Sequence, residues 1–269
     1  MAGAVISGIT RKGGLFSVDS IAIYDVNPDV RSKYASGGFH VCDSEADAAA
    51  WGDLVFLSVK PQNYKEVLGA IAASDVECDK KTFVSFAAGI SIASVKSVLG
   101  ASCPVIRTMP NTPLMIGCGV TAVCPSDEVR DGMLELTCRI FASGGRCIKL
   151  PESEMNAIIS VTSTSPAYFY KLASAMALGA ERMGMSIASL PLIISEVCLG
   201  AARMMLETDK SATELVRMVA SPNGTTEAAL KTLDRAGFDD LIYDAMCACT
   251  ERANELGDEL DRSISGESN

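Results

Sequence analysis

The 269-residue chain predicts a parallel, doubly wound α/β half followed by an all-helical half. Two observations carry this expectation. Short β-rich runs at residues 20–24, 54–59, 82–86 and 105–109 are interleaved with helical patterns at 62–73 and 92–99, the alternation that parallel strands need because each pairing requires a crossover. From residue 151 onward, the segments 152–161, 166–183, 188–207, 212–220, 225–235 and 238–260 all carry apolar residues at helical spacing, with no strand among them. The boundary is placed near Leu150, giving domains at residues 1–150 and 151–269.

Taken in order, residues 1–10 read as a helix whose small residues Gly3, Ala4 and Gly8 permit close packing, ended by Lys12-Gly13-Gly14. Residues 20–24 read as a buried strand that stops at Asp25 and the turn residues Asn27-Pro28. Two further apolar runs, 119–124 and 146–150, flank a helical segment at 127–141. Pro166, after four hydroxyl-bearing residues, marks a helix start. Residues 192–205 are apolar almost all round, so that helix should be buried, and a helical half this apolar implies a partner subunit. The Ser-, Gly- and acid-rich tail 261–269 is expected to fray.

Composition excludes several classes of function. With 23 basic and 33 acidic residues the net charge is -10, and no block of Lys or Arg is present, which argues against nucleic acid. An anionic ligand must then be held by backbone N–H groups and a few placed cations, of which Arg11, Lys60 and Arg107 are candidates. The 10 cysteines are scattered and His40 is the single histidine, so no metal site is expected. Together with the lack of a leader pattern, this places reduced thiols in the cytoplasm. No apolar run reaches the ~18 residues of a membrane span.

Four motifs can carry chemistry. Ser58-Val59-Lys60-Pro61 lies where a strand meets a helix, at the carboxyl edge where open α/β sheets bind ligands, although Pro61 can simply open a helix. Phe86-Ala87-Ala88-Gly89 ends the next strand with small residues that admit a flat ring or mark a tight turn. The run 107–113, with Pro110 and Pro113 around Asn111, ends a third strand as a stiff segment. Ser221-Pro222-Asn223-Gly224-Thr225-Thr226 feeds a helix and gathers unpaired N–H groups and hydroxyls at its positive end. That suits a small carboxylate, or serves only as an N-cap.

In order and spacing, Val59-Lys60-Pro61, Ala87-Ala88-Gly89, the 107–113 run, Ser165-Pro166-Ala167-Tyr168 and the 221–234 segment resemble the pyrroline-5-carboxylate reductase family. The last motif, Ser-Pro-(Gly/Asn)-Gly-x-Thr before an apolar helix and an acidic residue, here Asp234, is the family's signature. The resemblance implies a Rossmann-type dinucleotide-binding domain and a helical dimerisation domain, with the substrate pocket at the homodimer interface and dimers that can form larger rings. It implies that NADPH or NADH gives a hydride to the C=N carbon of 1-pyrroline-5-carboxylate, yielding proline. By the same resemblance the N–H groups of Thr225 and Thr226 hold the substrate carboxylate, the Thr226 hydroxyl faces the ring nitrogen as the catalytic group, and Ser221, Gly224 and Glu152 also belong to the substrate pocket. Asp25, Asn27, Ser58, Val59, Lys60, Pro61, Phe86, Ala87 and Ala88 fall at the cofactor.

The chain departs from that pattern at its start, where Met1-Ala2-Gly3-Ala4 matches the residues just after the family's Gly-x-Gly loop. By this resemblance the first strand and glycine loop are expected to lie upstream of the given start, through a misplaced initiation site or a truncation. Asp25 can bond both ribose hydroxyls and repel a 2′-phosphate, favouring NADH, or it can be a turn aspartate. Ser163 and Asn223 replace glycines usual in the family. Two alternatives stay open: a 3-hydroxyacid or 6-phosphogluconate-type dehydrogenase using Lys171, and a catalytically silent dimeric paralogue.

Overall fold

The computed structural model of the chain describes residues 1–11 and 14–265. The Lys12-Gly13 part of the expected helix stop and residues 266–269 of the expected tail lie outside the described residues. By contacts the chain forms two compact units, Met1–Thr164 with Cys247–Asn269, and Ser165–Met246.

The first unit contains α1 (Ala2–Thr10), β1 (Ala22–Ile23), α2 (Pro28–Ser36), β2 (His40–Val41), α3 (Glu45–Trp51), β3 (Leu54–Leu57), α4 (Tyr64–Ala72), β4 (Thr82–Ser85), α5 (Ile92–Leu99), β5 (Val105–Met109), β6 (Gly119–Pro125), α6 (Asp131–Ala142) and β7 (Gly145–Lys149). Strands β3 to β7 form one sheet in chain order. Pairs β3–β4, β4–β5 and β6–β7 are parallel, whereas β5–β6 is antiparallel. That exception follows from the connection. Only a short proline-containing 3-10 turn, Thr112–Ile116, separates β5 from β6, too little chain for the crossover that a parallel pair demands.

β1 and β2 form a separate parallel pair of two residues each. The expected buried strand at 20–24 is thus shorter and only half-buried, because Val18–Ser20 is a 3-10 turn and β1 pairs with β2 alone. In the larger sheet the side chains alternate between two cores, as the pleat requires. Phe83, Val105 and Met109 enter one core with Tyr64, Leu68, Ile71 and Val95, while Val84, Ile106 and Val123 enter the other with Val5, Ile9, Ile140 and Phe141. Helices therefore cover both faces: α4 and α5 on one, α1 and α6 on the other. The buried Tyr64 hydroxyl donates to the Leu57 carbonyl at 2.9 Å and lies 3.0 Å from Ser85 Oγ, pinning α4 to the sheet.

The second unit holds α7 (Ser165–Arg182), α8 (Leu190–Glu207), α9 (Ala212–Val219), α10 (Thr225–Arg235) and the first part of α11 (Phe238–Ser265). The remainder of α11 belongs to the first unit, where Ala253 and Leu260 join the core of α4 and α5. That burial explains why the helix continues to Ser265 through residues expected to fray. The helix expected at 152–161 is instead a 3-10 turn, Glu152–Glu154, and a π-helical turn, Ile159–Ser163. Of α8, expected to be buried, only Ile194 is buried within the chain. No helix among the described residues is long and apolar enough to cross a membrane.

Candidate active site

In the first unit the candidate residues sit at strand ends. β3 stops at Leu57 because the following turn is preset by Pro61, which opens the 3-10 turn Pro61–Asn63 with Lys60 as its N-cap. Ser58 and Lys60 are exposed there, and Val59 packs against the core. Lys60 therefore offers a cation to an anionic ligand at this edge.

The end of β4 is arranged differently. Phe86 packs against Phe56 and Phe141, with both ring centroids at 5.7 Å, and Ala87 is buried. Gly89 has φ +81, and a Cβ there would lie 2.1 Å from the Ala253 carbonyl oxygen. Across from it, a Cβ on Gly257 would come within 2.7 Å of the Gly89 oxygen. Gly89 thus has the left-handed φ of the tight turn that the sequence allowed, and it also seats α11, which the sequence did not indicate.

In the middle of β5, Arg107 is 3% exposed and faces Glu152, its Nη1 lying 3.3 Å from Oε1. Its Nη2 donates to Asn156, which in turn donates to Asn254 at 2.6 Å. The same Glu152 oxygen accepts the Ile92 N–H at 2.7 Å, at the start of α5. Burial lowers the Arg107 pKa, and Glu152 offsets only part of that effect. Asn111 extends the strap: its amide donates to the Thr162 carbonyl at 2.9 Å and its oxygen accepts the Val120 N–H at 2.9 Å. Ser163 adds a bond to the Pro110 carbonyl at 3.1 Å. Arg107 and Glu152, read separately as a ligand cation and a pocket residue, are thus bonded to each other. Arg11, the other candidate cation, donates to the Ser143 carbonyl at 2.9 Å.

After β1, Asp25 Oδ1 accepts the Asn27 N–H at 2.9 Å, and Asn27 caps α2 by accepting the Asp29 N–H at 2.9 Å. Arg31 donates to the Asp25 carbonyl at 2.5 Å and lies 5.7 Å from the Tyr24 ring centre. The turn-aspartate geometry is therefore present. The Asp25 carboxylate serves the backbone of its own turn, while the Arg31 guanidinium is held by the Asp25 carbonyl.

In the second unit, the Gly224 N–H donates to the Ser221 carbonyl at 3.0 Å, closing a turn over Pro222 and Asn223. Asn223 has φ 60 at the third position, as a type II turn requires. A Cβ on Gly224 would crowd the turn, standing 2.5 Å from the rotatable Ser221 Oγ and 3.0 Å from the Ser221 carbonyl oxygen. Thr225 and Thr226 then form the first turn of α10, where backbone N–H groups have no partner within the helix and point along its positive end. Glu227, which the sequence reading did not single out, folds back so that Oε2 accepts the Asn223 N–H at 2.8 Å. A Glu three residues after the N-cap was the available signal.

Two family models match the chain: "Pyrroline-5-carboxylate reductase dimerisation" over residues 152–256 and "NADP oxidoreductase coenzyme F420-dependent" over residues 1–89. The pyrroline-5-carboxylate reductase of Pseudomonas aeruginosa is 35% identical over 262 residues, covering 97% of this chain and 94% of the relative. That of Escherichia coli K12 is 31% identical over 258 residues, covering 95% and 94%. Among solved structures, a pyrroline-5-carboxylate reductase from Coxiella burnetii superposes with a TM-score of 0.84 at 28% identity, covering 95% of this chain and 94% of that one. The Plasmodium falciparum pyrroline carboxylate reductase with NADP bound shares the fold, at a TM-score of 0.83 and 20% identity. With such identity along nearly its whole length, the chain belongs to the pyrroline-5-carboxylate reductase family.

Proposed function

We propose that the protein reduces 1-pyrroline-5-carboxylate to L-proline, taking a hydride from NADPH or NADH, and works as a homodimer in the cytoplasm. The single observation that carries this reading is the α10 start, Ser221 to Thr226, in a chain 35% identical to a named reductase over 97% of its length. Open N–H groups of Thr225 and Thr226 suit the substrate carboxylate, and Ser221 and Gly224 shape the turn that presents them. The Thr226 hydroxyl bonds the ring nitrogen. With the imine bound protonated, hydride arrival at carbon returns an electron pair to nitrogen, which keeps its proton. Orientation and one hydrogen bond then suffice, without a strong acid.

Bound nicotinamide dinucleotide supplies the hydride. The chain's residues fit such a cofactor: Asp25 and Asn27 end β1 with polar groups suited to a ribose, and exposed Ser58 and Lys60, with Val59 and Pro61, end β3. Phe86, Ala87 and Ala88 end β4 with two small side chains that leave room for a flat ring. Asp25 disfavours a 2′-phosphate, so NADH is the expected better cofactor, and Asp25→Ala should narrow the difference. Glu152 contributes from the rim, its position fixed by Arg107. The partner subunit covers the apolar faces of α7 and α8.

Oxidation of NADH and NADPH with 1-pyrroline-5-carboxylate tests the reading, comparing wild type with Thr226→Ala. Turnover that falls about 10- to 100-fold in the variant is expected. A folded wild-type dimer that oxidises neither cofactor overturns it.

A further inference from the structure

We infer that Glu227 is a positioning residue for the substrate loop, holding Asn223 in the left-handed conformation that the turn before Thr225 and Thr226 requires. This rests on the proposed reading of that loop as the carboxylate seat. Among the described residues Asn223 is the one non-glycine residue with positive φ, at 60°. Glycine adopts that conformation freely, whereas asparagine adopts it at a cost that neighbouring contacts must offset.

Glu227 provides such a contact. Its Oε2 accepts the Asn223 N–H at 2.8 Å, while its Oε1 lies 3.1 Å from Lys231 Nζ, one helical turn on. Lys231 and the Asn223 N–H together hold the Glu227 carboxyl below its usual range, so it stays ionised and remains an acceptor. The Gly224 N–H is taken by Ser221, leaving the Asn223 N–H as the donor whose bond fixes the peptide plane between Pro222 and Asn223. Asn223 and Glu227 thus work as a pair: where asparagine stands in the turn, a carboxylate three residues after the N-cap keeps the turn in register with the first turn of α10.

The pairing makes a specific claim about coupling. In Glu227→Ala the KM for 1-pyrroline-5-carboxylate should rise about tenfold, the size of one lost hydrogen bond to a charged group, with the KM for the nicotinamide cofactor unchanged. Glu227→Gln, whose amide oxygen still accepts, should stay within about twofold of wild type. In an Asn223→Gly background, Glu227→Ala should cost much less, because glycine needs no holding. This background also keeps the test open if the single variant folds poorly. An unchanged substrate KM in Glu227→Ala, or an equal loss with Asn223 and with Gly at position 223, overturns the inference. A wild type without reductase activity would instead overturn the reading of the loop on which it rests.

Discussion

The two units of the chain spend their apolar residues in opposite ways. In the first, Phe83, Val84, Val105 and Ile106 are completely buried, each packed within the unit by helices from one face of the sheet or the other. In the second, Ala180 and Ile194 are the only buried apolar residues among those described, while Tyr170, Leu192, Val197, Leu206 and Tyr243 all stand more than 60% exposed. The difference teaches where each unit finds its stability. A sheet core is satisfied in one copy, whereas an apolar surface this extensive is satisfied only when something covers it. The match of residues 152–256 to a dimerisation family supplies the cover, a second copy.

The comparison can be broken most forcefully from the sheet side. Phe83→Ala empties a fully buried site and should destabilise the chain by about 3–5 kcal/mol, with the same loss at every protein concentration. Denaturant titrations at two concentrations check both statements. On the helical side, Val197→Glu adds a charge to the exposed apolar face of α8 and should weaken association by about 2–3 kcal/mol. Sedimentation would show monomer, while the circular dichroism of the sheet unit is retained. An intact dimer would mean that the partner covers another face.

The smallest effect sharpens the contrast through pH. Burial pushes Tyr64 up to about 12, from an ordinary value near 10. A group whose folded pKa is raised stabilises fully below the unfolded value and loses that contribution as pH climbs toward the folded one. Tyr64 alone should therefore take about 1 kcal/mol from the first unit between pH 10 and 11, a contribution absent in Tyr64→Phe. Cys103 and Cys147, both pushed up to about 12 by burial, act in the same direction from pH 9 upward and set the residual slope in that variant. Stability curves from pH 8 to 11 give the comparison.

Local signals made part of this legible. α5 and β5 fall where the pattern placed them, 92–99 and 105–109, because a Ser91 cap and the β-branched Val105, Ile106 and Thr108 are readable within a few residues. α10 begins at Thr225 and ends at Arg235 as expected, since Gly224 and the turn before it are written in adjacent residues. What escaped was structure without an apolar period or with a distant partner. α2 buries none of its residues, so its sequence carries no helical stripe, and β2 has only two residues. The bond between Arg107 and Glu152 joins the middle of β5 to a turn that the periodicity read as helix. Gly89 and Gly257 need each other, and neither position says so alone. The candidate site divides along the same line: the turn before α10 was local and readable, while the setting of Glu152 depended on a buried arginine from another element.

The dual membership of α11 bears on synthesis. Chains are commonly thought to fold from the N-terminus as they leave the ribosome, each domain closing before the next is made. Here the sheet is complete at Lys149, yet the core beneath α4 and α5 lacks Ala253 and Leu260 until nearly the whole chain has been translated. The nascent sheet unit must wait, with part of one face open, while the helices of the second unit are made. A nonsense codon within α11 after Met246 would spare the second unit's residues and still leave the first unit unfinished.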